Sequence, residues 1–107
     1  MVARTWTGEV NAADADAYEA YMNETGVAGY LATAGNRGVF MLRRELGETT
    51  EFVMFTLWES EDAIRAFAGE DIGVAVFYPE DDRFLVRRDS FAVHYTVARQ
   101  ASPPLPG

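Results

Sequence analysis

One histidine, two tryptophans and five tyrosines are the side chains from which proton transfer or recognition of an aromatic molecule could be built in this chain. His94 is the single imidazole, and its ordinary pKa of about 6.5 suits a general base at neutral pH. Trp58 and Trp6 offer indole faces for stacking, Phe67 a further aromatic wall, and Tyr18, Tyr21, Tyr78 and Tyr95 phenolic donors for a ligand oxygen. Arg43 and Arg44 are adjacent in a β-rich run, so they point to opposite faces and at most one can look inward toward a phenolate or carboxylate. Each residue also has a plainer role. His94 can be a hydrogen-bonded strand or interface histidine, the aromatic rings can be core, and the arginine can pair with one of many carboxylates. The site expected from residue type is His94 as base, with Trp58, Trp6, Tyr18, Phe67, Tyr78 and Arg43 as substrate contacts.

The residue types that are absent narrow the chemistry. There is no Cys, and all nine basic residues are Arg. Thiol nucleophiles, disulfides, thiolate-bound metals, lysine Schiff bases and Walker-type phosphate loops are therefore removed together. One histidine cannot build a multi-histidine metal site within a chain. A Ser-His-Asp triad would have to use Ser60, Ser90 or Ser102, none of which lies in a G-x-S-x-G setting. Glu80, Asp81 and Asp82 are read as surface acids at a helix start and not as metal ligands. No metal and no cofactor are expected.

These groups must be positioned by one domain. The chain has 107 residues, 49% of them hydrophobic and 13% aromatic, which places it among globular proteins and outside the disordered class. Seventeen acidic residues against nine basic ones give a formal charge of -8, so the summed field repels nucleic acid and anionic lipid. The opening residues lack the apolar stretch of a signal peptide, and no apolar run is long enough to span a bilayer. A cytoplasmic protein without nucleic-acid or membrane partners is expected.

Val2 to Val10 reads as a first strand. A helix follows, with Asn11 as N-cap and Tyr18, Tyr21 and Met22 on one face; Gly26 and Gly29 predict a kink before Gly35-Asn36 ends it. Gly38 to Leu46 and Glu51 to Trp58 form a hairpin across Gly47-Glu48-Thr49-Thr50. Ser60 caps a second helix that ends at Gly69, with Glu61 and Asp62 matching the dipole in its first turn. Tyr78 to Arg88, acids first and arginines last, reads as an extra short helix, and Ser90 to Arg99 as strand four. Residues 1 to 99 then form one domain, and 100 to 107, with three prolines, a mobile tail.

This order is that of a ferredoxin-like α+β domain, β-α-β-β-α-β, with an antiparallel four-stranded sheet. Strand three sets Phe52, Met54 and Trp58 on one face and Val53, Phe55 and Leu57 on the other, so both faces call for burial. Two helices cover one side; strands about 4.8 Å apart and roughly 20 Å long leave a bare face of about 400 Å². A second copy of the chain is the expected cover.

Four motifs in this order, Ala3-Arg4-Thr5-Trp6, Arg43-Arg44, Leu57-Trp58-Glu59-Ser60-Glu61-Asp62 and His94-Tyr95, resemble the antibiotic biosynthesis monooxygenase family over residues 2 to 98. The resemblance implies a dimeric α+β barrel, two ferredoxin-like sheets packed face to face. It also implies a range of activities, from cofactor-free oxygenation of aromatic polyketides to haem degradation. The haem-degrading branch has an Asn on strand one, a Trp late in helix two and an axial His about ten residues further on. Aligned from Trp58, this chain has Thr5, Phe67 and Phe77 at those places, so haem chemistry is not expected.

Cofactor-free oxygenation asks only that the protein bind, deprotonate and desolvate an electron-rich phenol, which can then itself reduce dioxygen. The function expected is a homodimeric monooxygenase of this kind, acting on a small aromatic or polyketide-type phenol. The alternative is a non-catalytic dimeric α+β barrel that binds an aromatic ligand or serves a stress-response role. A cavity reaching His94 favours the first, an interior plugged by Trp, Phe and Met side chains the second.

Overall fold

The computed structural model describes residues 1 to 104. β1 (Val2–Asn11) is the central strand, its alternate residues Arg4, Trp6, Gly8 and Val10 buried against the helices. A 3-10 turn leads into α1 (Ala15–Met22), a π-helical turn (Asn23–Val27) and α2 (Ala28–Ala32). The kink expected from Gly26 and Gly29 is thus a π-turn, inside which Thr25 Oγ1 donates to the Tyr21 carbonyl at 2.8 Å. Asn11 does not cap this helix by its side chain; it ends β1, paired with Thr49. After α2, the left-handed Gly35, φ 91°, turns the chain with its α-carbon against Ala63, where an added Cβ would lie 2.5 Å from the Ala63 Cβ.

The hairpin of β2 (Asn36–Glu45) and β3 (Thr49–Trp58) follows as expected, and β3 pairs along its whole length with β1. Ser60 caps α3 (Glu61–Ala68), accepting from the Ala63 amide at 3.2 Å, and Gly69 ends it. Only Ile64 of this helix is fully buried.

The C-terminal third departs from expectation. The helix expected over 78 to 88 is limited to α4 (Asp81–Phe84), and Leu85 onward turns into β4 (Leu85–Arg88). After a break comes β5 (Val93–Thr96), shorter than the expected strand over 90 to 99. Both are antiparallel to β1, β4 along Gly8 to Val10 and β5 along Val2 to Thr5. The sheet therefore has five strands instead of four, although β4 and β5 together fill the place of one, in the ferredoxin-like order β2-β3-β1-β4/β5. Tertiary partners explain the change at 85 to 88: Leu85 packs beside Gly8, and Arg87 Nε donates to Glu9 Oε2 at 2.8 Å. From Gln100 to Pro104 there is no regular structure, and the last part of the expected tail, 105 to 107, lies outside the described residues.

The helix-side face of the sheet carries the core, centred on Trp58, Tyr18, Phe52, Met54 and Ile64. The other face carries Phe40, Leu42, Val53, Phe55, Leu57, Val93 and Tyr95, and Phe40, Leu42 and Tyr95 are 53%, 49% and 55% exposed. One end of this face is closed by a row of charges running across four strands, Arg44, Glu51, Glu9 and Arg87, with Arg44 Nε to Glu51 Oε1 at 2.9 Å.

Gly8 makes room for the Trp6 indole. A Cβ at Gly8 would meet Trp6 Cη2 at 2.5 Å and Leu85 Cδ2 at 2.9 Å. The Gly8→Ala variant is expected to lose about 2 kcal/mol through overpacking, read as a fall in thermal midpoint; an unchanged midpoint would mean the indole can move aside.

Candidate functional site

The structure brings His94 against Arg4, a residue of the Ala3-Arg4-Thr5-Trp6 motif that is not among the expected site residues. They are directly opposite on β5 and β1, on the helix side of the sheet, and Arg4 Nη1 lies 3.0 Å from His94 Nε2. Arg4 is 4% exposed, and no carboxylate within the described residues pairs with it. Its guanidinium is held by carbonyls of the segment after α3, Nη1 donating to Ile72 at 2.5 Å and Nη2 to Val74 at 3.3 Å. Burial pulls its pKa down, yet a guanidinium stays charged in any folded protein. The interior therefore holds one cation whose counter-charge is missing.

This arrangement fixes the state of His94. Arg4 has only donors, so the ring nitrogen facing it must present a lone pair, and the proton of the neutral imidazole sits on Nδ1. Burial first, and the Arg4 charge second, push the His94 pKa below its ordinary value. Protonating His94 is consequently penalised in the folded state. Stability is expected to be flat above about pH 6.5 and to fall from there down to the lowered folded pKa, because the unfolded chain takes up the proton first. Thermal melts between pH 8 and 5 should show this loss in the wild type and not in His94→Gln. Equal slopes would contradict the pairing.

Beside the pair stands an aromatic group. Tyr30 packs on Phe67 at 4.6 Å and on Trp58 at 6.2 Å between ring centroids, and Trp58 on Phe67 at 5.7 Å. Trp58 Nε1 donates to Thr56 Oγ1 at 2.8 Å, and that hydroxyl donates to the Arg4 carbonyl, so the indole is tied to the strand that carries the cation. Burial raises the Tyr30 phenol to about 12, while the Arg4 charge acts in the opposite sense. Trp6 lies further along β1, its Nε1 donating to the Asp89 carbonyl at 2.7 Å and its ring edge-on to Phe77.

The remaining residues expected at the site are placed elsewhere. Arg43 is held on the outside by Asp16, Glu19 and Glu45 at 3.0 to 3.1 Å, and Arg44 belongs to the charged row on the open face, so neither arginine looks into the interior. Tyr18 is wholly buried among Phe52 and Phe84 on the α1 side. Tyr78 brings its hydroxyl close over Gly29, Tyr21 Oη accepts from the Glu80 amide at 2.9 Å, and Tyr95 is on the open face. Of the three acids expected at the surface, Asp81 is instead buried, 3% exposed, with Oδ2 accepting from the Tyr78 amide at 2.5 Å. Among the described residues, no three His, Asp or Glu side chains gather to hold a metal ion.

The parity of β1 could have exposed Arg4: it shares a face with Trp6, Gly8 and Val10, a charge in the packed phase of the strand. A cavity of about 220 Å³ opens elsewhere, on the hairpin, lined by Leu42, Arg43, Arg44, Glu51 and Val53.

A haem does not fit these residues. Thr5 pairs with Phe55 and Val93 on the open face, Phe67 and Phe77 offer no donor atom, and the imidazole lone pair of His94 is turned to Arg4.

A ferredoxin-like α+β domain with an aromatic interior headed by a buried arginine, held by carbonyls and an imidazole, is thus defined by fold and site. Comparison with known families then identifies it: residues 1 to 72 match the family described as antibiotic biosynthesis monooxygenase, and the chain belongs to that family. Solved structures share the fold at low identity. A candidate antibiotic biosynthesis monooxygenase from Bacillus cereus is 16% identical with a TM-score of 0.66, over 95% of this chain and 97% of that one. The heme-degrader MhuD from Mycobacterium tuberculosis, with two hemes bound in its active site, is 22% identical with a TM-score of 0.65, over 95% and 100%. A third, from Nitrosomonas europaea, is 13% identical with a TM-score of 0.67, over 92% and 100%. No curated protein matches. No helix among the described residues is long and apolar enough to cross a membrane.

Proposed function

We propose that this chain is a cofactor-independent monooxygenase of a small phenolic aromatic molecule, bound between the sheet and the helices of a homodimer. The observation that carries the reading is Arg4, a buried cation with no carboxylate partner among the described residues, set beside a neutral imidazole and the Tyr30, Trp58 and Phe67 rings. A phenolate supplies the missing charge, and the rings supply the apolar surface its ring system needs. Holding the phenolate form leaves the ring rich enough in electrons to reduce dioxygen directly. One oxygen atom enters the carbon framework and the other leaves as water; the substrate furnishes all the electrons, as when a ring methylene becomes a carbonyl.

His94 takes a different part from the base expected of it. Its lone pair accepts from Arg4, so it orients the guanidinium and, being neutral, adds no second charge. It becomes a proton acceptor only when Arg4 turns to a ligand and frees Nε2. The open sheet face supports the homodimer, since Phe40, Leu42 and Tyr95 are apolar side chains that one chain leaves to water.

Oxygen uptake by purified protein against a panel of phenols and anthrones tests the reading. Stoichiometric consumption of dioxygen and phenol is expected, unchanged by chelators. A second reading, a non-catalytic aromatic-binding dimer, is favoured by the complete burial of Trp58, Tyr18, Phe52 and Met54, which fill much of the interior. Binding of the same phenols without oxygen uptake would select it.

A further inference from the structure

Among the described residues three buried side-chain polar atoms have no partner: one is Asn36 Nδ2, at the start of β2, and the other two belong to facing elements. Tyr18 Oη, on α1, is wholly buried without a hydrogen bond, and so is Asp81 Oδ1, at the start of α4. Such orphaned groups are costly, and each calls for an occupant. After burial, the Asp81 charge is the strongest influence raising the Tyr18 phenol, and it also raises Tyr30 and Tyr78. Phe84 of α4 packs on both Tyr18 and Tyr21, at 5.5 and 5.7 Å between centroids, which fixes α4 against α1. Asp81 itself is fixed, because its other oxygen accepts from the Tyr78 amide.

We propose that Tyr18 and Asp81 form a hydroxyl-reading pair for the aromatic ligand: Tyr18 Oη donates to a ligand hydroxyl oxygen, and Asp81 Oδ1 accepts that hydroxyl's proton in a hydrogen bond. The proposal rests on the reading above, in which an aromatic molecule enters between sheet and helices, and it adds a second anchoring point to Arg4. One orphaned donor and one orphaned acceptor match a group that accepts and donates through a single oxygen. A neutral phenolic hydroxyl does so, whereas a carboxylate or quinone oxygen leaves Asp81 unsatisfied or repelled. The ligand class is thereby narrowed to aromatic molecules with two oxygen functions at different edges, one ionised toward Arg4 and one kept as hydroxyl at Asp81. Asp81 has its pKa raised by burial, with the Tyr78 amide and Arg88 opposing.

The probes that test this are 2-naphthol and 2-fluoronaphthalene, similar in shape, of which only the first has a hydroxyl. Binding to the full chain is measured by titration for the wild type, Tyr18→Phe, Asp81→Asn and Arg4→Met. Tyr18→Phe removes a group that has no hydrogen bond to lose, so it folds, and thermal melts check each variant. The wild type is expected to prefer 2-naphthol by about tenfold or more, and both Tyr18→Phe and Asp81→Asn to lose most of that preference. Equal preference in the wild type and in both variants overturns the pair as the reading site. A preference removed only by Arg4→Met places the hydroxyl at the cation, which overturns this inference and leaves the proposed function standing. Oxygen uptake from phenols with no binding difference between the two probes does the same, assigning ordered water to Tyr18 and Asp81. Failure of both probes to bind, together with no uptake, removes the proposed function itself.

Discussion

Replacing Arg4 by Met is expected to lower kcat/KM for a phenolic substrate by about a hundredfold or more, the scale seen when one preorganised charge-stabilising donor is removed. The effect is electrostatic. In the low-dielectric interior, the guanidinium is the one buried cation near the Trp58, Tyr30 and Phe67 rings among the described residues, and no carboxylate of those residues competes for it. The phenolate would have to form without it in the variant. The fold should tolerate the change, because Met keeps the apolar stem and removes an unpaired buried charge, while the Ile72 and Val74 carbonyls lose their donors at a cost of about 1 to 3 kcal/mol. Activity and stability thus respond on different scales. Full activity in a stably folded Arg4→Met would show that the cation is structural. Arg4→Lys keeps the charge but cannot span both carbonyls and His94, so an intermediate loss is expected.

With the open face covered by a second copy as proposed, Phe55→Asp is expected to leave monomers at micromolar concentration, a loss of about a hundredfold or more in dimer affinity. Phe55 lies near the middle of the open face, edge-on to Phe40 at 5.9 Å and opposite Thr5. A partner's sheet laid over this face would bury the new carboxylate against Phe40, Leu42 and Leu57, with no cation in reach except the charged row at one end. In the monomer the same carboxylate faces water and costs little, so the chain should stay folded. Sedimentation of the wild type as a stable 11.9 kDa monomer would contradict the expected dimer directly.

The element order and the two-sided β3 were legible because hydrophobic alternation, Gly47, Ser60 and Gly69 are local signals that tertiary contacts reinforce. Ser60 is the clearest case, since its hydroxyl does what an N-cap residue does in isolation. The C-terminal third was not legible. Leu85 to Arg88 satisfies the charge pattern of a helix end, and only its partners on β1, Gly8 and Glu9, make it a strand. Among site residues, the ion pairing of Arg43 and the coreward aromatics follow from composition and parity. Arg4 was visible in the phase of β1, but its use depends on carbonyls from residues 72 and 74, far away in sequence. Asp81 gave no sequence signal that separates it from Glu80 and Asp82. Its burial comes from the segment folding back so that the carboxylate meets the Tyr78 amide.

Turnover of a phenolic aromatic under isotopically labelled dioxygen, with chelator-treated protein, separates direct use of dioxygen by the proposed route from oxidation that needs a metal or haem. One labelled oxygen atom is expected in the aromatic product, with the other appearing in water, at a rate that collapses in Arg4→Met. Unlabelled product, or oxidation that requires added metal or haem, would contradict it.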